Sequence, residues 1–290
     1  MTTAGIDTSP LFTQLPLGVR LREGATFANY YPGLNQDVVR LLQDAAVQRE
    51  GVVYLWGGHG TGKTHLLQAL CHLTAVEGQA LAYLPLREAA DLSRRRPAAA
   101  APTRPLPPGR AERGGRSRWG EGMAGGGMSG VEDRARAALI PEVVEGLEQL
   151  PLVIVDDIDA VAADAAWETA LFHLYNRIRE QGGRLIMSGP QSPAAIGIVL
   201  PDLRSRLAGG LVLQLRALPD EDKASALRLQ ARQRGMEMPE EVAAYLLRRC
   251  PRDMNALFNL LEVLDRASLA AQRKLTIPFV KTVLEMQYRV

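Results

Sequence analysis

Short apolar runs alternate with amphipathic stretches through the first three-quarters of the chain. Val52–Trp56, Ala80–Leu86, Leu152–Val155, Arg184–Met187 and Leu211–Leu215 are mostly apolar and of strand length. Such runs, lacking a polar alternation, predict strands covered on both faces. Between them apolar residues recur at helical spacing. Val38, Val39, Leu41, Leu42, Ala45 and Ala46 mark a helix from Asn35 to Glu50, with Asn35 as its cap, and further helices are predicted over 65–73, 139–150 and 165–181. Strands alternating with helices give an α/β fold, a parallel sheet covered by helices. From Pro219 only helical periodicity remains, over 220–234, 239–249 and 253–272, then a last helix capped by Thr276 with Pro278 in its first turn. The expected organisation is a flexible leader over 1–25, an α/β domain over 26–216 and a small all-helical domain over 217–290.

One segment breaks this pattern. Residues 94–136 are dominated by Arg, Pro, Gly and Ala, a composition that cannot build a core and predicts a disordered insertion. It holds ten arginines against four acidic residues, a local excess of +6 inside a net charge of +2, so the remainder carries −4. The globular part is therefore mildly acidic, which argues against a broad DNA-binding face. Cys71 and Cys250 are too far apart in sequence for a metal motif or a disulfide framework. With no apolar run of membrane-spanning length and no secretory signal, the chain reads as cytoplasmic, with no membrane partner.

The chemistry begins after the first predicted strand, at Gly57-Gly58-His59-Gly60-Thr61-Gly62-Lys63-Thr64, followed by His65 at the start of a helix. This is a complete G-x-x-x-x-G-K-[ST] phosphate loop in its strand–loop–helix setting. Glycines let backbone N–H groups turn toward phosphate oxygens at the positive end of the following helix. Lys63 would reach the β/γ-phosphates and Thr64 would ligate Mg²⁺, so ADP or ATP with Mg²⁺ is the expected cofactor. Asp156 and Asp157 close the strand Leu152–Val155 and fit a Walker B pair. Asp156 would hold a Mg²⁺-bound water and Asp157 would orient or deprotonate the attacking water.

Three further stretches carry a resemblance: Leu200-Pro201-Asp202-Leu203-Arg204-Ser205-Arg206-Leu207, Leu218-Pro219-Asp220-Glu221-Asp222-Lys223, and the run from Ala267 to Lys281. With the P-loop, they resemble the DnaA/Hda family of AAA+ ATPases, from about Gln14 to the C-terminus apart from the insertion. The resemblance implies an AAA+ domain followed by a helical lid. It makes Arg206 the arginine finger acting in trans, with Arg204 the lesser candidate, and Arg252 the sensor 2 arginine. Ser188 is the sensor 1 candidate, next to a Pro190 where relatives often carry Asp. Gln14-Leu15-Pro16-Leu17 resembles the peptide that docks on the bacterial sliding clamp, with Gln14, Leu15 and Leu17 filling its pocket.

The function this implies is negative regulation of chromosomal replication initiation. The chain would dock on the DNA-loaded β sliding clamp of DNA polymerase III and stimulate hydrolysis of DnaA-bound ATP. Contact with DNA would be indirect, through the clamp, and homo-oligomerisation is possible within the superfamily. The alternative is an autonomous DnaA-like or helicase-loader ATPase acting on DNA, favoured by the complete Walker motifs. Against it stands the expectation that an initiator carries a DNA-reading module after the lid, where this chain ends.

Overall fold

The computed structural model describes residues 24–47, 51–95, 140 and 143–287. Five parallel strands lie in the order β2-β3-β4-β1-β5: β1 (Gly51–Trp56), β2 (Leu81–Pro85), β3 (Leu152–Asp156), β4 (Arg184–Gly189) and β5 (Leu211–Gln214). Val53 lies opposite Ile186 and Leu55 opposite Ser188, while Ile154 faces Ile186 from the other side. Helices α1 (Gln36–Val47), α2 (Lys63–Val76), α3 (Leu86–Arg95), α4 (Ala165–Glu180) and α5 (Pro201–Ala208) accompany the sheet.

The period of two along each strand sorts the side chains into two layers. Val52, Tyr54, Val153, Val155, Leu185 and Met187 pack with Trp167 and Leu171 of α4 and with Leu203 and Leu207 of α5. Val53, Leu55, Leu152, Ile154 and Ile186 meet Leu42 of α1 and Leu66, Leu67 and Leu70 of α2. A separate apolar cluster joins α6 (Asp220–Gln233), α7 (Glu240–Arg249), α8 (Met254–Ala271) and α9 (Ile277–Gln287) through Leu227, Val242, Leu246, Leu257, Leu261 and Val280. No described helix is long and apolar enough to cross a membrane.

Four local expectations change. The second strand stops at Pro85, and Leu86 opens α3, a helix the pattern does not announce. Its buried stripe, Leu86, Ala89 and Ala90, is too short to read beside the arginines that follow. Of the 94–136 insertion, Arg94 and Arg95 end α3, and the rest lies outside the described residues. The helix expected over 139–150 gives way at Gly146, whose φ of +82° no helix accommodates, to a 3₁₀ turn over Leu147–Gln149. Asn35 does not serve as a helix cap. It ends a 3₁₀ turn running into α1, and its side chain bonds instead to both backbone groups of Arg216. Of the leader, residues 1–23, with Gln14, Leu15 and Leu17, lie outside the described residues, while Gly24 and the buried Ala25 belong to the described fold.

Candidate functional site

β1 ends at Trp56, and the chain curls through Gly57–Gly62 into α2 at the carboxyl edge of the sheet, where open α/β sheets bind ligands. Two glycines are required by geometry. A Cβ on Gly57 would stand 2.6 Å from the Leu215 carbonyl oxygen, and one on Gly62, at φ +90°, would stand 2.6 Å from Cε2 of Tyr30. The loop is held by Thr61 Oγ1 donating to Gly58 O at 3.0 Å and by the Tyr30 hydroxyl donating to Thr61 O at 3.1 Å. Gly62 supplies no side-chain cap, which leaves the first-turn amides of α2 to an anion. Lys63 Nζ donates to the carbonyls of Gly57 (2.8 Å) and Gly58 (3.1 Å), inside the curl. Burial lowers its pKa below that of an ordinary lysine, against the opposing pull of the Asp157, Asp156 and Asp159 carboxylates.

The tip of β3 faces this loop. Asp156 is buried, its Oδ2 accepting from the Tyr83 hydroxyl at 2.8 Å and its Oδ1 from the Ser188 hydroxyl and from Asp157 N at 3.1 Å. Burial, reinforced by Asp156, pushes the Tyr83 phenol far above its usual pKa, so it stays a donor. Asp157 adopts φ +56°, in the left-handed region, while its N–H also donates to Ser188 Oγ at 3.2 Å. Arg87, near the start of α3, donates Nε to Asp157 Oδ2 and Nη2 to Asp159 Oδ2, both at 3.1 Å.

A cavity of about 550 Å³ opens between the loop and the helical domain. The sheet side contributes His59, Gly60, Thr61, Gly62, Lys63, Thr64, His65, Arg87 and Asp157, and the far side includes Asn29–Tyr31, Leu218, Gln230, Met254 and Phe258. Its rim is closed by His59 Nδ1 against Asp253 Oδ2 at 3.1 Å, while Asp253 Oδ1 caps α8 by accepting from Ala256 N. The size suits a nucleotide-sized ligand. The glycine cradle, the loop ammonium and the aromatic and aliphatic far wall fit the phosphates and base of a nucleoside di- or triphosphate.

The structure thus brings seven consecutive residues, His59 to His65, together with Asp157. Gly57 and Gly58 form the neck of the loop without lining the cavity. Asp156 and Ser188 bond each other one step behind it, which leaves Asp157 as the carboxylate on the cavity. Arg252 is not gathered in: its Nη1 pairs with Asp220 Oδ2 on α6, and both side chains are exposed. Arg206 lies in the last turn of α5, exposed and outside the cavity, with its guanidinium carbon 5.9 Å from the centre of the Tyr175 ring. Sequence reasoning missed Arg87, Tyr83 and the Asn29–Tyr31 segment. No local motif marks them, because only the pairing of β2 with β3 and the return of the chain over the lid bring them to the site.

The model of the bacterial DnaA ATPase domain matches residues 133–214, and that of the Hda lid domain matches 220–284. Among solved structures, domain III of the Thermotoga maritima replication initiation protein DnaA superposes with a TM-score of 0.66 at 17% identity, covering 94% of this chain and all of that one. AMPPCP-bound DnaA from Aquifex aeolicus gives 0.59 at 18% identity, over 86% of this chain and 67% of that one. The Thermotoga maritima RuvB Holliday junction branch migration motor gives 0.54 at 14%, over 90% and 73%. At these identities the superpositions speak for the AAA+ fold, and the two adjoining family models carry the rest. The chain belongs to the DnaA/Hda family of AAA+ proteins.

Proposed function

We propose that the protein is an Hda-type negative regulator of replication initiation, tethered to the DNA-loaded sliding clamp and acting on ATP-bound DnaA. The observation that carries this reading is the position of Arg206, exposed on α5 and outside the chain's own cavity. A guanidinium there is free to enter a neighbour's site, where it would neutralise charge developing on the transferred phosphoryl group, worth roughly 10³–10⁵ in rate in comparable systems. The Hda lid match supports a regulator over an initiator.

This chain's own cavity would then serve as a switch. Bound ADP or ATP with Mg²⁺ would supply the charge that links loop to lid. Lys63 and the first-turn amides of α2 would hold the phosphates and Thr64 the metal, with Asp156 behind Asp157. Leu218, Met254 and Phe258 would cover the base from the lid side, coupling lid position to occupancy. Arg252 would have to leave Asp220 to act as sensor 2. A leader carrying Gln14, Leu15 and Leu17 would raise the local concentration at the clamp without adding contacts to DnaA.

The test follows DnaA-bound nucleotide over time, with and without clamp-loaded DNA and this protein. Conversion of ATP–DnaA to ADP–DnaA should require both, and Arg206→Ala should lose at least about a hundredfold of the stimulation while keeping nucleotide binding. Undiminished stimulation by that variant would refute the finger assignment. A second reading, an autonomous ATPase, is favoured by Lys63, Thr64 and Asp157 sharing one cavity. It predicts steady turnover by the protein alone and salt-sensitive DNA binding without clamp.

A further inference from the structure

At the edge of the sheet opposite the P-loop, the starts of β2, β3 and β4 surround a second cavity of about 480 Å³, which shares no residue with the first. Its charged centre is Arg184, the first residue of β4, 5% exposed and in register with Gly51 of β1 and Leu152 of β3. Two acceptors hold the guanidinium in one orientation: Nε donates to Pro151 O at 3.2 Å and Nη2 to Gln79 Oε1 at 2.7 Å. Neither is a carboxylate. The Gln79 amide in turn donates to Glu77 Oε2 at 3.3 Å, so a neutral group stands between Arg184 and the acid that pulls on it. Burial lowers the Arg184 pKa against that pull, yet a guanidinium stays charged near neutral pH. Among the described residues Nη1 has no hydrogen-bond partner, and it is not sealed from solvent. Glu148 lines the same cavity, but its Oε2 lies 3.6 Å from Arg177 Nε. Gln149 and Gln181, both exposed, line it with amides that can donate. A buried charge calls for a counter-charge, and a guanidinium pinned through two donors offers the rest as a preset fork for an oxyanion.

We propose that this cavity binds a small oxyanion, a carboxylate or phosphate group of a free small molecule, with Arg184 Nη1 as its charged donor and the Gln149 and Gln181 amides as neutral ones. The volume exceeds either ion and lies in the range of small-molecule sites, which leaves room for the organic group. Glu148 among the lining residues disfavours a multiply charged ligand. Because Gln79, Pro151 and Arg184 stand at the starts of three strands, an anion that binds only the folded chain stabilises the sheet by mass action. The P-loop plays no part in this site, so the inference stands apart from the nucleotide-site reading.

The experiment titrates sodium acetate and, separately, inorganic phosphate into the full chain in excess Mg·ADP at constant ionic strength, and follows the thermal unfolding midpoint. At about ten times a Kd in the millimolar range, the midpoint should rise by roughly 2–4 °C. A response to acetate alone assigns a carboxylate ligand, to phosphate alone a phosphate, and to both the shared oxyanion chemistry; each supports the site. Arg184→Gln should abolish the rise. Should that variant fail to fold, the Arg184 Nε–H NMR signal of the unaltered chain decides: it should shift on titration, and a signal that stays put overturns the site. Glu148→Gln removes a like charge and should tighten binding about twofold to fivefold, an effect that a merely structural arginine would not produce. No rise with either anion overturns the proposal, as does a rise that Arg184→Gln retains or an affinity that Glu148→Gln leaves unchanged. A phosphate response lost in Lys63→Ala belongs to the P-loop and overturns it as well.

Discussion

Glu168 illustrates how one side chain can set the position of a distant functional group. It is 1% exposed near the start of α4, and its carboxylate accepts from Ala163 N (2.8 Å), Val199 N (3.1 Å) and Leu200 N (2.7 Å). Leu200 is the N-cap residue of α5, the helix whose last turn carries Arg206. A buried carboxylate is tolerable only when its oxygens are satisfied, and here backbone donors satisfy them. Glu168→Gln turns an NH₂ toward those donors and should cost about 1–3 kcal/mol in urea unfolding. The same variant should weaken the stimulation attributed to Arg206, since the α5 N-terminus loses its anchor. A variant with wild-type stability would show that the carboxylate does not organise this corner.

At the scale of elements, the segment from Thr26 to Asn35 ties the two cores together. Tyr30 packs under the P-loop at Gly62 and bonds Thr61, while Tyr31 donates to Asp222 of α6 at 3.0 Å and Gln230 of α6 donates to Asn29 O at 2.8 Å. Asn35, 1% exposed, exchanges a donor–acceptor pair with Arg216, in the connection between β5 and α6. The pair makes the junction between sheet and lid directional rather than a loose tether. Asn35→Ala removes both bonds and leaves the Arg216 amide and carbonyl without them, at an expected cost of about 1–3 kcal/mol in chemical denaturation. Because the lid supplies one wall of the cavity, affinity for ADP should fall with it. Unaltered affinity would mean that the lid finds its place without this junction.

At the scale of the whole molecule, two chemical centres point different ways: a cavity between sheet and lid, and Arg206 on α5 outside it. The proposed role in trans calls for an arginine in such a place, outside the chain's own cavity. Changing Gln14, Leu15 and Leu17 to Ala should abolish retention on clamp-loaded DNA while leaving the unfolding midpoint and ADP affinity unchanged. Retention at wild-type level would refute the clamp-docking role of the leader. Combining that triple change with Arg206→Ala should add no further loss in a clamp-dependent assay, because in the proposed reading tether and finger act in series.

The five strands, most of the helices, the P-loop and the position of Asp156–Asp157 at the end of β3 were legible in the sequence, because each rests on local chemistry. Helices α3 and α5 were not announced by the pattern. Continuous apolar runs make strands covered on both faces, and a loop that must bend to left-handed φ between a strand and a helix can be written only with glycine. The family likeness was legible too, in stretches such as 200–207 and 267–281. What only the tertiary structure decided is which groups meet. The pairing of β2 with β3 brings Tyr83 to Asp156, the packing of α3 beside the β3 tip brings Arg87 to Asp157 and Asp159, and the return of α8 brings Asp253 to His59. It also decided that Arg252 pairs with Asp220 and that Asn35 serves the domain junction rather than a helix end. Such partners lie tens to hundreds of residues apart, where no periodicity or spacing carries information. Their meeting is fixed by the register of a sheet and the closure of a lid.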